Sequence, residues 1–124
     1  MNIVDYVIDK TNKYIQSKSK ESRKPYCQFF TSKEVAVFMA SLFTLPSKKE
    51  IYILDPGAGT GILSASLIER INKFSNIEKV NLICYEMDKE IIEALNDNLS
   101  FIKNEIGKKI NYSIINENYI TSQS

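Results

Sequence analysis

The sequence contains no histidine and only two cysteines, Cys27 and Cys84, among its 124 residues. A chain without histidine cannot itself supply a Ser-His-Asp or Cys-His nucleophile system. Two cysteines without histidine also cannot complete the four ligands of a structural zinc site. Because no secretory leader is recognisable, we expect both cysteines to be free intracellular thiols.

Long apolar segments and a strong excess of one charge are also missing. No stretch approaches the roughly 20 apolar residues that a membrane-spanning helix needs. The first ten residues, MNIVDYVIDK, mix charges into their apolar positions, which is unlike a signal peptide, so we expect a cytoplasmic protein without membrane contact. The net charge of +1 gives no support for nucleic-acid contact by this chain alone, because most DNA-binding domains are clearly basic.

The remaining composition is that of one globular domain, with 44% hydrophobic and 25% charged residues. Apolar side chains recur at helical spacing between residues 2 and 17, which predicts an amphipathic helix.

Residues 17–25, SKSKESRKP, indicate a solvated linker or, alternatively, a strip that contacts phosphates. Thr31 and Glu34 have the spacing of a capping box, which predicts a second helix from about Ser32 to Phe43.

After residue 50, short apolar runs alternate with amphipathic helical patterns. This alternation predicts a parallel sheet with right-handed crossovers. Asp88 is the expected N-cap of the last of these helices, and Gly107 is the residue expected to end it. The predicted strands are Ile51–Leu54, Val80–Tyr85 and Ile110–Ile115, and the helical patterns extend over residues 62–71 and 91–102.

A glycine-rich turn, DPGAGTG at residues 55–61, lies between the first predicted strand and the next helix. Glycines allow a sharp turn and close approach of a ligand to the backbone. The N-terminus of the following helix favours an anion, either a phosphate or a carboxylate. Glu86 follows the second strand, where an acidic side chain can accept hydrogen bonds from both hydroxyls of a ribose. Met87 beside it could lie against an adenine ring or simply pack in the core.

Two other nucleotide sites fit this turn less well. A dinucleotide site usually has G-x-G-x-x-G, whereas this chain has G-x-G-x-G with Ile62 in place of the last glycine. The helix would then begin without the glycine that permits close packing, which disfavours NAD. A P-loop needs G-K-[ST] after the turn, but Ile62 and Leu63 follow Gly61, so ATP hydrolysis is not expected.

The turn at 55–61 is similar to the cofactor loop of class I S-adenosylmethionine-dependent methyltransferases. The segment YCQFFT at residues 26–31 resembles the one that closes over the methionine end of the cofactor in N6-adenine DNA methyltransferases of restriction–modification systems. Together they make residues 25–120 resemble the N-terminal part of such an enzyme. The resemblance implies an α/β, Rossmann-like methyltransferase fold, truncated to three parallel strands with flanking helices and preceded by one or two N-terminal helices. It divides the chain into an N-terminal helix and basic linker, 1–24, and a partial cofactor-binding domain, 25–124.

The same resemblance implies which residues hold S-adenosylmethionine. Thr31 and the backbone of residues 57–59 would hold the methionine amino and carboxylate groups, with Asp55 at the floor of the loop. Glu86 would bind the ribose, and Met87 and Tyr119 would flank the adenine ring. Asn118 stands where the family usually has an aspartate that contacts the adenine amino group, and its side-chain oxygen can still accept that bond. The complete expected set is Phe30, Thr31, Asp55, Pro56, Gly57, Ala58, Gly59, Gly61, Glu86, Met87, Asn118 and Tyr119.

The chain also departs from the family pattern. Cys27 replaces a more usual glycine, and there is no Pro-Pro pair anywhere in the sequence. The [ND]-P-P-[YF] motif that holds a flipped-out adenine is therefore absent. We expect no catalytic residues in this chain and no methylation of DNA, the partner of the complete enzyme, by these residues alone.

In the family the first strand has a neighbour on both sides, so the first strand here should have a free, apolar edge. We expect that edge and one face of the sheet to be covered by self-association, by a partner, or by residues outside this sequence. Two other interpretations stay open: a methyltransferase that acts on another substrate, and a non-catalytic module that binds the cofactor or a partner.

Overall fold

The computed structural model describes residues 2–18 and 30–122. They form an α/β fold with a three-stranded parallel sheet flanked by helices, as the truncated Rossmann-like prediction requires. Residues 19–29, which include most of the predicted basic linker and also Cys27, lie outside this description. In chain order the elements are α1 (Ile3–Gln16), α2 (Lys33–Ser41), β1 (Glu50–Asp55), α3 (Ile62–Phe74), β2 (Lys79–Tyr85), α4 (Lys89–Glu105), β3 (Lys109–Ile115) and α5 (Tyr119–Ser122).

Each strand of the sheet pairs in parallel with the next strand along the chain, in the order β1-β2-β3. Successive side chains of a strand point to opposite faces, and in β2 every second residue is buried. Both crossover helices run in the same direction across the sheet, so right-handed connections put α3 and α4 on one face. The buried β2 side chains that belong to the main core are Val80, Leu82 and Cys84.

The two N-terminal helices extend this single helical layer. Helix α1 packs against α3 and α4, and it buries Ile3, Val4 and Val7. Helix α2 packs against α3 through the small residues Ala36 and Ala40. Among the described residues, no helix is both long enough and apolar enough to cross a membrane.

Two local predictions were wrong in detail. The N-cap of α2 is Ser32, whose hydroxyl accepts a hydrogen bond from the backbone N–H of Val35 at 3.3 Å, so the helix begins one residue later than a cap at Thr31 would allow. Helix α4 ends at Glu105, and Ile106, which is buried, takes an extended conformation as its C-cap. Gly107 lacks the positive φ of a glycine that ends a helix, because the chain has already left the helix at Ile106. The predicted N-cap at Asp88 is confirmed.

The opposite face of the sheet and the outer edge of β1 carry exposed apolar side chains. Tyr52 is 74% exposed and Leu54 is 46% exposed. Among the described residues, β1 pairs with β2 only, so its other edge has free backbone groups. This arrangement agrees with the free edge expected from the sequence.

Candidate cofactor-binding site

A cleft of about 1130 Å³ lies at the carboxyl edge of the sheet. This is where ligands bind in open α/β sheets. The loops that follow all three strands contribute to its walls, together with the first turn of α4 and one residue that precedes α2. The lining residues are Phe30, Pro56, Gly57, Gly59, Tyr85, Glu86, Met87, Asp88, Lys89, Glu90, Ile91, Glu117, Asn118, Tyr119 and Ile120.

Asp55 organises the glycine loop from the buried side. One carboxylate oxygen accepts a hydrogen bond from the Gly57 N–H at 3.2 Å, and the other accepts one from the Ser64 hydroxyl at 2.9 Å. The Ala58 N–H donates to the carbonyl of Tyr85 at 2.9 Å, which ties the loop to the end of β2. Asp55 therefore supports the cleft from behind and is not among its lining residues.

Glu86 bridges the glycine loop and the start of α4. Its Oε1 accepts a hydrogen bond from the Gly59 N–H, and its Oε2 accepts one from the Asp88 N–H, both at 3.0 Å. A carboxylate has about four lone-pair sites, so each oxygen keeps one further acceptor site. The Glu86 N–H donates to the carbonyl of Ile115 at 3.0 Å, which fixes the backbone at this point to β3.

The segment after β3 builds the opposite wall. Asn116 donates from its amide to the carbonyls of Glu86 at 3.0 Å and Met87 at 2.7 Å. The Asn118 amide donates to the Met87 sulfur at 3.2 Å, while its oxygen accepts a hydrogen bond from the Thr121 N–H at 3.1 Å. Met87 is 61% exposed, so it is a wall residue and does not pack in the core.

Aromatic side chains stand at both ends of the cleft. The ring of Tyr119 packs edge-to-face on Tyr85, with ring centroids 5.1 Å apart. At the other end, the Phe30 ring contacts Gly59 closely enough that a Cβ on this glycine would lie 3.5 Å from it. Phe30 also makes an edge contact with Tyr14 of α1, with centroids 6.4 Å apart.

The cleft brings together eight of the twelve residues that the sequence singled out, and four lie elsewhere. Thr31 is half-buried beside Phe30 without lining the cleft, and Ala58 is buried beneath it. Gly61 is the N-cap of α3, with φ +93°. The eight lining residues are Phe30, Pro56, Gly57, Gly59, Glu86, Met87, Asn118 and Tyr119.

Gly61 corrects one argument made from the sequence. A Cβ on this residue would lie 3.1 Å from Cδ1 of Leu95 in α4. Helix α3 therefore does begin at a glycine that permits close packing. A dinucleotide motif would have this glycine at the position of Ile62, and here it is one residue earlier. The glycine spacing still differs from the dinucleotide pattern, but the absence of a close-packing glycine no longer counts against NAD.

The sequence reasoning missed Asn116, which joins the loops after β2 and β3. The signal that could have found it is its position directly after the third strand, because the carboxyl ends of parallel strands meet at one edge of the sheet. It also missed Tyr85, Asp88 and the first turn of α4, which form the cleft wall next to Glu86.

No family model matches the chain. Its sequence is similar to "Type II methyltransferase M.BsuBI" of Bacillus subtilis, with 34% identity over 93 residues, which are 75% of this chain and 18% of that protein. It is also similar to "Type II methyltransferase M.AccI" of Acinetobacter calcoaceticus, with 32% identity over 80 residues, which are 64% of this chain and 14% of that protein. The chain thus spans less than a fifth of the length of either curated relative.

Proposed function

We propose that this chain, which is related in sequence to a segment of type II methyltransferases, is the S-adenosylmethionine-binding portion of a site-specific DNA adenine-N6 methyltransferase. Residues 25–124 would form the partial cofactor-binding domain. In the complete enzyme, which would act in the cytoplasm, a methyl group would pass to a flipped-out adenine of DNA. This chain would not hold that adenine itself, because its sequence lacks the [ND]-P-P-[YF] motif.

The observation that carries the proposal is the arrangement of the Glu86 carboxylate. Two backbone N–H groups, from Gly59 and Asp88, hold its two oxygens at the mouth of the cleft. This leaves one acceptor site on each oxygen, which matches the two hydroxyls of a ribose. An acidic side chain held in this way fits a nucleoside better than it fits a phosphate, which it would repel.

The other walls of the cleft fit the two ends of S-adenosylmethionine. A Cβ on Gly57 would meet no atom within 4 Å, so open space lies beside the loop backbone where the methionine carboxylate would be held. Phe30 would close over that end. Met87 and Tyr119 would lie on either side of the adenine ring. The Asn118 oxygen accepts from the Thr121 N–H, and its second lone pair would accept from the adenine amine.

The bound cofactor would supply an electrophilic methyl group. The residues of this chain would bind and orient it, and they would exclude water from its methionine end through Phe30. Adenine specificity, DNA contact and the transfer step would belong to the complete enzyme; this chain spans only 18% and 14% of the relatives it matches.

Calorimetric titration of this chain with S-adenosylmethionine, with NADH as the competing candidate, tests the proposal. We expect S-adenosylmethionine to bind and NADH not to bind. Glu86→Ala should abolish binding, because it removes both ribose acceptors. Gly57→Ala should weaken binding strongly without changing the melting temperature, since the added methyl group enters open space in the unliganded protein.

Glu117→Ala is the matched control for these variants. Glu117 is an exposed carboxylate that also lines the cleft, so its removal changes the charge of the cleft equally but leaves the Glu86 arrangement intact. Its affinity for S-adenosylmethionine should stay near that of the unmodified chain. Binding of NADH alone, or equal losses in Glu86→Ala and Glu117→Ala, would overturn the proposal.

A second candidate function, as an interaction module, is favoured by a different observation. Of the large exposed apolar side chains in the described residues, most lie on α2, on the residues just after it and on β1, the strand with the free edge. A monomer rarely exposes an apolar surface of this kind without a partner. The side chains are Val35, Val37, Phe38, Met39, Leu42, Phe43, Tyr52 and Leu54.

Sedimentation analysis tests this second candidate. We expect the chain to self-associate at high concentration, and we expect Phe38→Lys with Tyr52→Lys to reduce that association. Phe74→Lys is the control, because Phe74 is equally exposed but belongs to α3, outside the apolar surface of α2 and β1. A monodisperse monomer at every concentration, with no change in either variant, would argue against self-association through this surface.

A further inference from the structure

A buried pair of hydroxyl groups joins the N-terminal helix to the glycine loop. Thr11 of α1 is 3% exposed and Thr60 of the loop is 1% exposed. Their Oγ1 atoms lie 2.6 Å apart, although the residues are 49 positions apart in the sequence. None of the cofactor-binding residues proposed above belongs to α1, so this contact lies outside the site as described.

The direction of this hydrogen bond follows from the number of protons. The Thr11 hydroxyl donates to the carbonyl of Val7 at 2.8 Å, and a hydroxyl has only one proton to donate. Thr60 must therefore be the donor in the Thr60–Thr11 pair. A valine at position 11 would leave the buried Thr60 hydroxyl without its acceptor, which is costly in an apolar environment.

Thr60 is also held from the opposite side. Its carbonyl accepts a hydrogen bond from the amide of Asn98 in α4 at 2.8 Å. Asn98 is fully buried, and its own amide oxygen has no partner among the described residues. A buried amide whose oxygen has no hydrogen-bond partner destabilises the helix layer. The favourable contact that Asn98 does make is the hydrogen bond from its amide nitrogen to the loop.

Thr60 occupies a decisive position in the loop because both its neighbours are left-handed glycines. Gly59 has φ +56° and Gly61 has φ +93°. Glycine is conformationally free, so the backbone around Thr60 has little stiffness of its own. Fixing both the side chain and the carbonyl of Thr60 fixes the two peptide groups beside it, the second of which carries the Gly61 N–H. That N–H donates to the Ala58 carbonyl at 2.9 Å, and the same Ala58–Gly59 peptide group carries the Gly59 N–H that holds Glu86.

We propose that Thr11 and Asn98 are positioning residues of the cofactor loop, which act through Thr60 to keep the Gly59 N–H directed at the Glu86 carboxylate. Helix α1 is then part of the cofactor site as well as part of the core. Tyr14 of α1 also contacts Phe30, which lines the cleft, so the same helix supports the cleft at a second point. This inference rests on the function proposed above.

The test compares variants of α1 that differ in what they remove. Thr11→Val removes the acceptor for Thr60 and keeps the shape of the side chain, and Thr11→Ser keeps the hydroxyl. Val4→Ala is the control, because Val4 is equally buried on α1 and its truncation loosens the helix without touching the hydroxyl pair. The two measurements are S-adenosylmethionine affinity by calorimetry, well below every melting temperature, and the amide chemical shift of Gly59 by NMR.

We expect Thr11→Val to weaken cofactor binding by roughly 5- to 10-fold, the effect of one lost hydrogen bond, and to shift the Gly59 amide resonance. Thr11→Ser should bind within about 2-fold of the unmodified chain, below the effect of a lost hydrogen bond. Val4→Ala should lower the melting temperature but leave both measurements unchanged. If Thr11→Val lowers only the melting temperature and leaves affinity and the Gly59 resonance unchanged, the positioning role is refuted.

The failure of the proposed function would look different. In that case the unmodified chain would not bind S-adenosylmethionine at all, and the calorimetric comparison would have no signal. The Gly59 resonance would still decide the positioning inference, because it is measured without ligand. An unshifted Gly59 resonance in Thr11→Val would overturn it in that case too.

Discussion

Replacing Gly61 with alanine should destabilise the protein strongly, whereas the same replacement at Gly107 should not. Gly61 has φ +93°, and an added Cβ would lie 3.1 Å from Cδ1 of Leu95, a fully buried side chain. The backbone strain costs about 1–3 kcal/mol, and overpacking against a fixed core side chain costs about 1–3 kcal/mol. Alanine recovers about 0.4–1 kcal/mol by restricting the unfolded chain, so the three terms together give a net loss of about 1–6 kcal/mol.

That loss is large beside the total stability of a typical domain, about 5–15 kcal/mol, and urea unfolding followed by circular dichroism would measure it. Gly107 has no positive φ, and a Cβ there would meet nothing within 4 Å, so Gly107→Ala should be neutral or slightly stabilising. In a Leu95→Ala background, Gly61→Ala should cost less, because the steric part of the loss is gone. Equal unfolding midpoints for Gly61→Ala and Gly107→Ala would refute this reasoning.

Two further predictions concern the protonation of a buried thiol and the end of α2. Burial, together with the nearby Asp55 carboxylate, raises the pKa of Cys84 from 9.0 to about 12, so iodoacetamide should modify Cys84 only after unfolding. As the pH rises, the unfolded thiol loses its proton before the folded one does. The free energy of unfolding should therefore fall by up to ~1.4 kcal/mol per pH unit between pH 9 and pH 12. If Cys84→Ala shows the same dependence of unfolding free energy on pH, this prediction is contradicted. Arg70 of α3 donates to two carbonyls at the end of α2, at 3.2 and 2.5 Å, so Arg70→Ala should cost about 1–3 kcal/mol in the same urea assay. Lys73→Ala removes the ion pair between the exposed Lys73 amine and the half-buried Glu69 of the same helix, and it should cost about 1 kcal/mol or less. Equal losses would show that the carbonyl contacts of Arg70 contribute nothing.

The sheet could be predicted from the sequence because its signals are local. The apolar run at 51–54 and the runs at 80–85 and 110–115 each lie within one residue of an observed strand boundary. The requirement that parallel strands end at one edge then brings Gly57, Glu86 and Asn118 together without any knowledge of tertiary contacts. The N-cap at Asp88 was equally local, since its carboxylate bonds to backbone groups only two and three residues away.

What could not be predicted depends on contacts between distant parts of the chain. Two adjacent hydroxyl residues, Thr31 and Ser32, could each cap α2, and only the path of the chain into the helix decides between them. The Thr11–Thr60 pair has no sequence pattern, because its members belong to elements that meet only after folding. Gly61 looked unsuited to close packing because the motif was judged by spacing, whereas the close approach is made by Leu95, far along the chain.

The pairing of each strand with the next one along the chain also determines what must be assembled before the cleft is complete. Glu50 pairs with Lys79, and Lys79 pairs with Lys109, so each step of the sheet closes a loop of similar, modest length. The glycine loop, Glu86 and Asn116 follow β1, β2 and β3 in turn, and the last of them bonds to the carbonyls of the second. The cleft therefore has both walls only when the third strand is paired, and cofactor binding during refolding would report that all three strands are in place.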